Sequence, residues 1–352
     1  MKNCMGCRKT NKTRVVGMIM VCVLLLWTAG PAFAETLTLS FLGDCTIGGI
    51  DTGGYTSSSF TRYMDKNGYD KSFPFANIAE ILLSDDLTIA NCEGVFTTGR
   101  AASLAKLNLR ATADWADAFV LGGVDALNIS NNHTKDYGNA GMRDTLAALR
   151  NRNLGAFGGG ELYVYRVKGV TIGMTGYSYP HRFDIRRQTK DIQTLREQGC
   201  DLVIVSMHWG REGNPTPTKE QRTLGPLLID AGADIVFGHG PHVLQPIEVY
   251  QGGVVFYSLA NMVFGANSSP ADVDTVIAQV VYHIGDGITI KELSVLPASM
   301  HVKNNYQPRL YEEQADKERV YKKMTFRNMT ESGLPESFLK TGKVIFDAPN
   351  ED

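Results

Sequence analysis

Five short apolar runs in this 352-residue chain each end on side chains able to bind a metal ion or carry a proton. They are Ser40-Phe-Leu-Gly-Asp44, Thr88-Ile-Ala-Asn-Cys-Glu93, Leu127-Asn-Ile-Ser-Asn-Asn-His133, Val203-Ile-Val-Ser-Met-His208 and Asp234-Ile-Val-Phe-Gly-His239, with His242 just beyond. A strand that stops on such a residue presents it at the carboxyl edge of a sheet, where open α/β folds keep their chemistry. Borderline divalent ions take imidazole and carboxylate together, and a catalytic centre keeps one position open for water. Asp44, Glu93, His208, His239 and His242 supply that mixture, with Asn132 as an amide ligand. A divalent ion among them, whether Mn, Zn, Fe or Mg, would polarise a substrate oxygen and lower the pKa of bound water.

The neighbouring residues leave more than one reading open. His133 could be a ligand, a general acid that protonates a leaving oxygen, or a hydrogen-bonded core histidine; Asp136, three residues on, could orient it and hold it protonated. Arg110 could pair its planar fork with an anionic substrate group or simply be solvated. Asn261, which ends Tyr257-Ser-Leu-Ala-Asn261, could touch the site or form a turn. His181, His283 and His301 lack comparable settings and read as structural. Cys45 and Cys92, each beside a site carboxylate, read as buried apolar packing or as a disulfide pair.

The elements that must position these residues alternate. Leu37 to Leu42, Leu87 to Ala90 and Ala126 to Ile129 have strand patterning, separated by helical spacing over Phe75 to Leu83 and Ala113 to Leu121. Ile50 to Asp70 is rich in Gly, Ser and Thr and reads as an irregular loop. Ala140 to Arg150 is helical, Tyr163 to Tyr179 carries two strands around Lys168-Gly169, and Pro180 to Lys190 reads as irregular before a helix over Asp191 to Gln198. A helix over Thr218 to Asp230 and strands at Leu244 to Tyr250, Val254 to Leu259, Val276 to His283 and Ile288 to Val295 follow. The early βα rhythm and the β-rich later part point to two stacked sheets flanked by helices.

Composition excludes several classes. With 43% hydrophobic and 20% charged residues the chain is globular and long enough for a full core. Residues 1–34 read as a secretory leader: five basic and no acidic residues, the apolar run Val15 to Trp27, and Ala32-Phe-Ala34 before Glu35. An apolar helix of that length covers only about 20 Å, short of a bilayer core of about 30 Å, which favours an exported chain cleaved after Ala34 over an uncleaved anchor. What remains has 30 basic against 37 acidic side chains, a net charge of −7, and no basic face for nucleic acid is suggested. The expected organisation is a leader over 1–34, a main domain over 35–300 and a peripheral helical appendage over 301–352.

Taken together, Phe41-Leu-Gly-Asp44, Asn91-Cys-Glu93, Ser130-Asn-Asn-His-Thr-Lys-Asp-Tyr-Gly138, His208-Trp-Gly210, Gly238-His-Gly-Pro-His242-Val-Leu-Gln245-Pro-Ile-Glu248 and Tyr257-Ser-Leu-Ala-Asn261 resemble the CapA-type capsule-synthesis proteins, linked to poly-γ-glutamate production in bacteria. That family resembles a divergent branch of the calcineurin-like metallophosphoesterases. The resemblance implies a four-layer α/β/β/α sandwich with a metal site between the sheet ends. It implies Asp44 as the first-motif aspartate, Glu93 as the metal-bridging carboxylate, Asn132 and His133 as the Asn-His pair, His208 as the lone histidine, and His239 with His242 as the terminal pair. Three positions depart from the pattern: Thr46 stands where Asp-x-His has histidine, the terminal pair is His-x-x-His, and Ala260 replaces a glycine. The expected activity is metal-dependent, phosphoesterase-like hydrolysis in envelope-polymer synthesis, on an anionic polymer or phosphoester and beside a membrane synthase. The alternative is a non-catalytic accessory subunit that binds the polymer or its synthase.

Overall fold

Alternation of apolar side chains along the strands decides the layering. In the strand Leu202–His208, Leu202 and Ile204 point into one buried cluster and Val203, Val205 and Met207 into another, as the two-residue period of a strand requires. The strand Glu35–Thr46 does the same, with Leu37, Leu39 and Phe41 on one face and Leu42 on the other. This computed structural model describes residues 35–50, 59–101, 107–180, 184–267, 269–300 and 305–346. The expected leader, His181 and His301 lie outside the described residues.

Besides a small sheet formed by Gly49–Ile50, Leu109–Ala111 and Val95–Phe96, two large mixed sheets result. The larger runs in spatial order Arg309–Leu310, Ile288–Ser299, Asp274–Ile284, Glu35–Thr46, Leu87–Cys92, Ala126–Asn128 and Gly155–Phe157; Asn261–Phe264 pairs with the end of Glu35–Thr46, and Lys343–Ile345 with Ile288–Ser299. The smaller runs Leu244–Tyr250, Gly253–Leu259, Ile235–His239, Leu202–His208, Val170–Ser178 and Tyr163–Val167. In each sheet four neighbouring strands are parallel, from Glu35–Thr46 to Gly155–Phe157 in one and from Gly253–Leu259 to Val170–Ser178 in the other. Each parallel set therefore delivers its carboxyl ends at a single edge.

Between the sheets lies the main core, where Phe41 meets Phe237 with ring centroids 5.3 Å apart. The outer face of the smaller sheet is covered by Ile192 and Leu195 of the helix Ile185–Glu197 and by Leu228 and Ile229 of the helix Lys219–Asp230. Phe119, Leu146 and Leu149, from the helices Asp117–Leu121 and Gly138–Arg150, cover the larger. Parallel strands buried on both faces need such cover. The layering is a four-layer α/β/β/α sandwich, as the resemblance implied.

Three local expectations change. The stretch expected as loop contains a helix, Ser59–Lys66, because Phe60 and Met64, four residues apart, are both buried. The helix expected from Asp191 begins at Ile185, where the Asp184 carboxylate caps it by accepting from the Arg186 N–H at 3.0 Å. Residues 306–346 are built into the core more closely than a peripheral appendage. Val320, Tyr321, Met324 and Phe338 join the central cluster, and Ile247 N–H donates to the Met324 carbonyl at 2.9 Å. Cys45 and Cys92, register partners on adjacent strands, are free and buried; burial pushes the Cys92 thiol up to about 12, so both act as small apolar groups.

Asp274 pins the C-terminal segment. Its buried carboxylate accepts from Arg319 Nη2 at 2.9 Å, Lys323 Nζ at 2.7 Å and Tyr311 Oη at 2.6 Å. Burial alone would raise this carboxyl, but the hydrogen bonds from Arg319 and Lys323 hold it down at about 2. A depressed folded-state value stabilises fully above the unfolded value near ~3.9 and loses that contribution as pH falls through about 2. Asp274→Asn is expected to cost about 2 kcal/mol at pH 7, read as a melting temperature lowered by several degrees in a thermal scan. The difference from wild type should narrow near pH 2–3, and equal melting at pH 7 would disprove the pinning role.

Candidate metal centre

Asp44 is placed by a close crossing of backbones. Its own N–H donates to the Ala260 carbonyl at 2.9 Å, and a Cβ on the preceding Gly43 would sit 2.0 Å from that same oxygen, so only glycine fits there. The strand register shifts on both sides of this point, and such bulges re-aim side chains near sites. Ala260 occupies the left-handed region at φ 59°. The family's glycine suits that conformation; alanine holds it here at some strain.

Strand ends from both sheets deliver the rest. Asp44 Oδ1 lies 3.8 Å from His208 Nδ1 and 3.5 Å from His239 Nδ1, and Asp44 Oδ2 lies 3.1 Å from His242 Nδ1. Glu93 Oε1 lies 4.0 Å from His208 Nε2 and 3.8 Å from His242 Nε2. Two groups have ligand atoms within 4.8 Å of one another, Asp44 with His208 and His239, and Asp44 with Glu93 and His242. The carboxylate common to both is Asp44, and Glu93 Oε1, from the carboxylate that the resemblance implied as the bridge, also lies within 4.0 Å of one histidine of each group. Both histidines of the terminal pair reach the cluster, one in each group.

The residues around the cluster fix its side chains. Asn91 donates to Asp44 Oδ1 at 2.7 Å and its own carbonyl accepts from Asn128 at 2.8 Å and Asn131 at 3.3 Å. Ser206 Oγ lies 2.6 Å from His239 Nε2, and the Gly240 N–H donates to Asp44 Oδ2 at 3.0 Å. His242, in the left-handed region at φ 57°, is held by Asn261 Oδ1 at 2.8 Å from its Nδ1. Asn261 thus touches the site through His242. Thr46, in place of the expected histidine, donates to Glu93 Oε2 at 3.4 Å.

Sequence reasoning missed Asn91, Asn131 and Ser206. The signal was available, since Asn91 lies two residues before Glu93 and Ser206 two before His208, on the same face of each strand. Of the two adjacent asparagines, Asn132, the expected amide ligand, is exposed, and Asn131 is the buried one. The cause is a turn in which Asn131 Oδ1 accepts from His133 N–H at 3.0 Å and Asn131 N–H donates to Thr134 Oγ1 at 2.8 Å. That turn fixes the first asparagine inward.

His133 lies beside the cluster and belongs to neither ligand group. Its Nδ1 is 2.7 Å from Asp136 Oδ2, which also accepts from the Leu109 N–H at 2.8 Å. Arg110 is half-buried, donates to the Gly99 carbonyl at 3.0 Å, lies over the Tyr137 ring and lines a small cavity of about 110 Å³ with Thr97 and Trp115. It is outside both ligand groups.

Charge in this pocket is unevenly held. Burial would raise Asp44, but the hydrogen bond and charge of His242 hold it well below the usual carboxylate range. Burial and the Asp44 charge push Glu93 up to about 7. Burial pulls His208 down to about 3 and His239 to about 4, so both are neutral imidazoles, the form that binds metal. Burial would lower His242, yet Glu93 and Asp44 raise it, and the proton stays. His133 is likewise raised, Asp136 outweighing its burial.

The residues present fit a divalent ion. Two buried carboxylates need compensating positive charge, two neutral imidazoles face them, and buried Glu93 Oε1 has no hydrogen-bond partner. The donor set of oxygen and nitrogen suits Mn, Fe, Zn or a similar ion.

Comparison with known proteins agrees with the motifs. Residues 38–266, more than half of the chain, match the family model of the bacterial capsule synthesis protein PGA_cap. The chain is 31% identical over 294 residues to the PGA biosynthesis protein CapA of Bacillus subtilis (strain 168), covering 73% of each. It is 29% identical over 318 residues to the capsule biosynthesis protein CapA of Bacillus anthracis, covering 82% of this chain and 72% of that one. Among solved structures it is similar to a phosphatase of Mycoplasma pneumoniae, with 14% identity and a TM-score of 0.44 over 75% of this chain and 94% of that one. The chain belongs to the bacterial capsule synthesis protein family.

Proposed function

We propose that this is an exported protein of capsule or poly-γ-glutamate production that carries a divalent-metal hydrolase centre acting on a phosphoester or a similar bond. The observation that carries the reading is the pair of ligand groups sharing Asp44, with a buried Glu93 oxygen that no hydrogen bond satisfies. Asp44, His208 and His239 would hold one ion, and Asp44, Glu93 and His242 would hold a second. An ion bound there would supply Lewis-acid polarisation of an ester oxygen and a nucleophile from water at neutral pH. His133, its Nδ1 fixed by Asp136, holds a proton at Nε2 for the departing oxygen. Arg110 and its threonine-lined cavity would take a negatively charged substrate group. Export is supported by the leader-like composition of residues 1–34; no helix of the described residues is long and apolar enough to cross a membrane.

One observation favours the accessory reading. Thr46 stands where the resembling phosphoesterases have a ligand histidine, and here its hydroxyl is spent on Glu93. A centre short of one ligand could bind an ion and polymer without turnover. Elemental analysis of residues 35–352, with a broad phosphatase and amidase screen, separates the two. The hydrolase reading expects at least one divalent ion per chain and a turnover that Asp44→Ala and His208→Ala both abolish with loss of metal. Metal without turnover in any screen leaves the accessory role, and absence of metal from wild type removes the centre altogether.

A second expectation concerns His133. If it protonates the leaving oxygen, His133→Asn keeps its metal and loses about 10²-fold or more in turnover of poor leaving groups, but far less with an activated aryl ester that needs no proton. An equal loss across leaving groups would assign His133 to substrate binding instead.

A further inference from the structure

A second concave surface lies where the C-terminal segment meets the smaller sheet. It is an open trench of about 660 Å³. One wall is stiffened by Pro215 and Pro217 of the loop after His208 and by Pro246, whereas Lys322, Lys323, Arg327 and Arg222 bring positive charge against a single lining carboxylate, Glu331. The chain as a whole is acidic, so this concentration runs against its composition.

The four cations are not equivalent. Arg222 pairs with Glu331 at 2.8 Å and lies over the Phe326 ring at 4.9 Å, and Lys323 is held by Asp272 and Asp274. These two fix the shape. Lys322 and Arg327 are exposed and have no ion pair among the described residues, so their charge is available to a ligand.

The loop that lines the trench is hydrogen-bonded to the segment that carries His242. Gly213 N–H donates to the Pro241 carbonyl at 2.8 Å and Gln245 Nε2 to the Asn214 carbonyl at 2.8 Å, which ties the proline wall to the turn carrying His242. Pro246 is four residues beyond His242, about 13 Å along an extended chain. A ligand held in the trench would therefore lie against a loop that is tied to the His242 turn.

We propose that this trench binds an extended polycarboxylate chain, gripping its repeated negative charges through Lys322 and Arg327. The shape favours a single flexible chain over an anionic bilayer, since the cations line a recess walled by prolines and a plane of headgroups would need them on a projecting face. Repeated carboxylates meet two separated cations without a fixed register, and long-range attraction speeds capture. The two available cations, Lys322 and Arg327, lie outside the family-matched residues 38–266, whereas the proline wall and Arg222 lie within them. The inference rests on the proposed function only for the polymer's chemistry and needs no hydrolysis.

Fluorescence anisotropy with labelled poly-γ-glutamate and residues 35–352 tests it, beside titration with phosphatidylglycerol vesicles. Wild type should bind the polymer with an affinity that falls as salt rises. The double variant Lys322→Glu, Arg327→Glu should lose about ten-fold or more while melting within about 2 °C of wild type. Asp44→Asn should bind the polymer as wild type does. The proposal is overturned if wild type does not bind the polymer, if the double variant binds equally well, or if vesicles are bound and the polymer is not. Binding lost in Asp44→Asn and kept in the double variant would likewise overturn it while leaving the metal-edge reading intact. Trench binding without turnover in any screen would uphold it and remove the hydrolase reading.

Discussion

Burying the carboxylates of Asp44 and Glu93 against each other is the costly step in this fold, and most of the local structure answers it. Both side chains are almost fully buried, and an ionised carboxylate taken out of water without compensation is destabilising by several kcal/mol. Compensation arrives from the opposite sheet. His242 carries the balancing proton, His208 and His239 stand neutral beside it, and the Gly240 N–H and Asn91 amide occupy the remaining lone pairs of Asp44. The two sheets are thus joined at this edge by charge as well as by the apolar core behind it.

Getting these groups within reach demands closer backbone approaches than side chains permit. Gly43 lies against the Ala260 carbonyl, and a Cβ on Gly238 would sit 2.1 Å from the Tyr257 carbonyl. Gly240 adopts φ +105°, and His242 itself is left-handed. Strain of this kind persists only where the surroundings over-determine it. Here the determinants are the Asn261 amide and the Asp44 carboxylate, both directed at His242 Nδ1. Asn261 is in turn the residue that follows the strained Ala260, so the Tyr257-Ser-Leu-Ala-Asn261 run and the His239-x-x-His242 turn secure each other.

Much of this was legible in the sequence. Apolar runs ending on Asp44, Glu93, His208 and His239 announced the edge, since a strand's last residue is set by where hydrophobicity stops. The layer architecture followed from the change of rhythm along the chain. What escaped was fixed by contacts between distant residues. Whether Asn131 or Asn132 turns inward depends on a hydrogen bond to Thr134, and two adjacent asparagines look alike in one dimension. That Asp44 is common to both ligand groups depends on where the second sheet sits. The C-terminal segment looked peripheral because its charged residues dominate the pattern, yet the apolar minority of Val320, Tyr321 and Met324 reaches the core while Arg319 and Lys323 are consumed by Asp274.

The same electrostatics make the two ligand groups unequal. Around Asp44, His208 and His239 the imidazoles are already neutral, so an ion entering there displaces no proton and gains the full attraction of a depressed carboxylate. Around Asp44, Glu93 and His242 an ion must displace the His242 proton and finds Thr46 where another imidazole would have helped. Metal binding that releases protons weakens as pH falls, so under the proposed function the group holding His208 would be the first to fill. Under that proposal, Thr46 at the position where the resemblance implies a histidine would leave the second group the weaker of two that share Asp44.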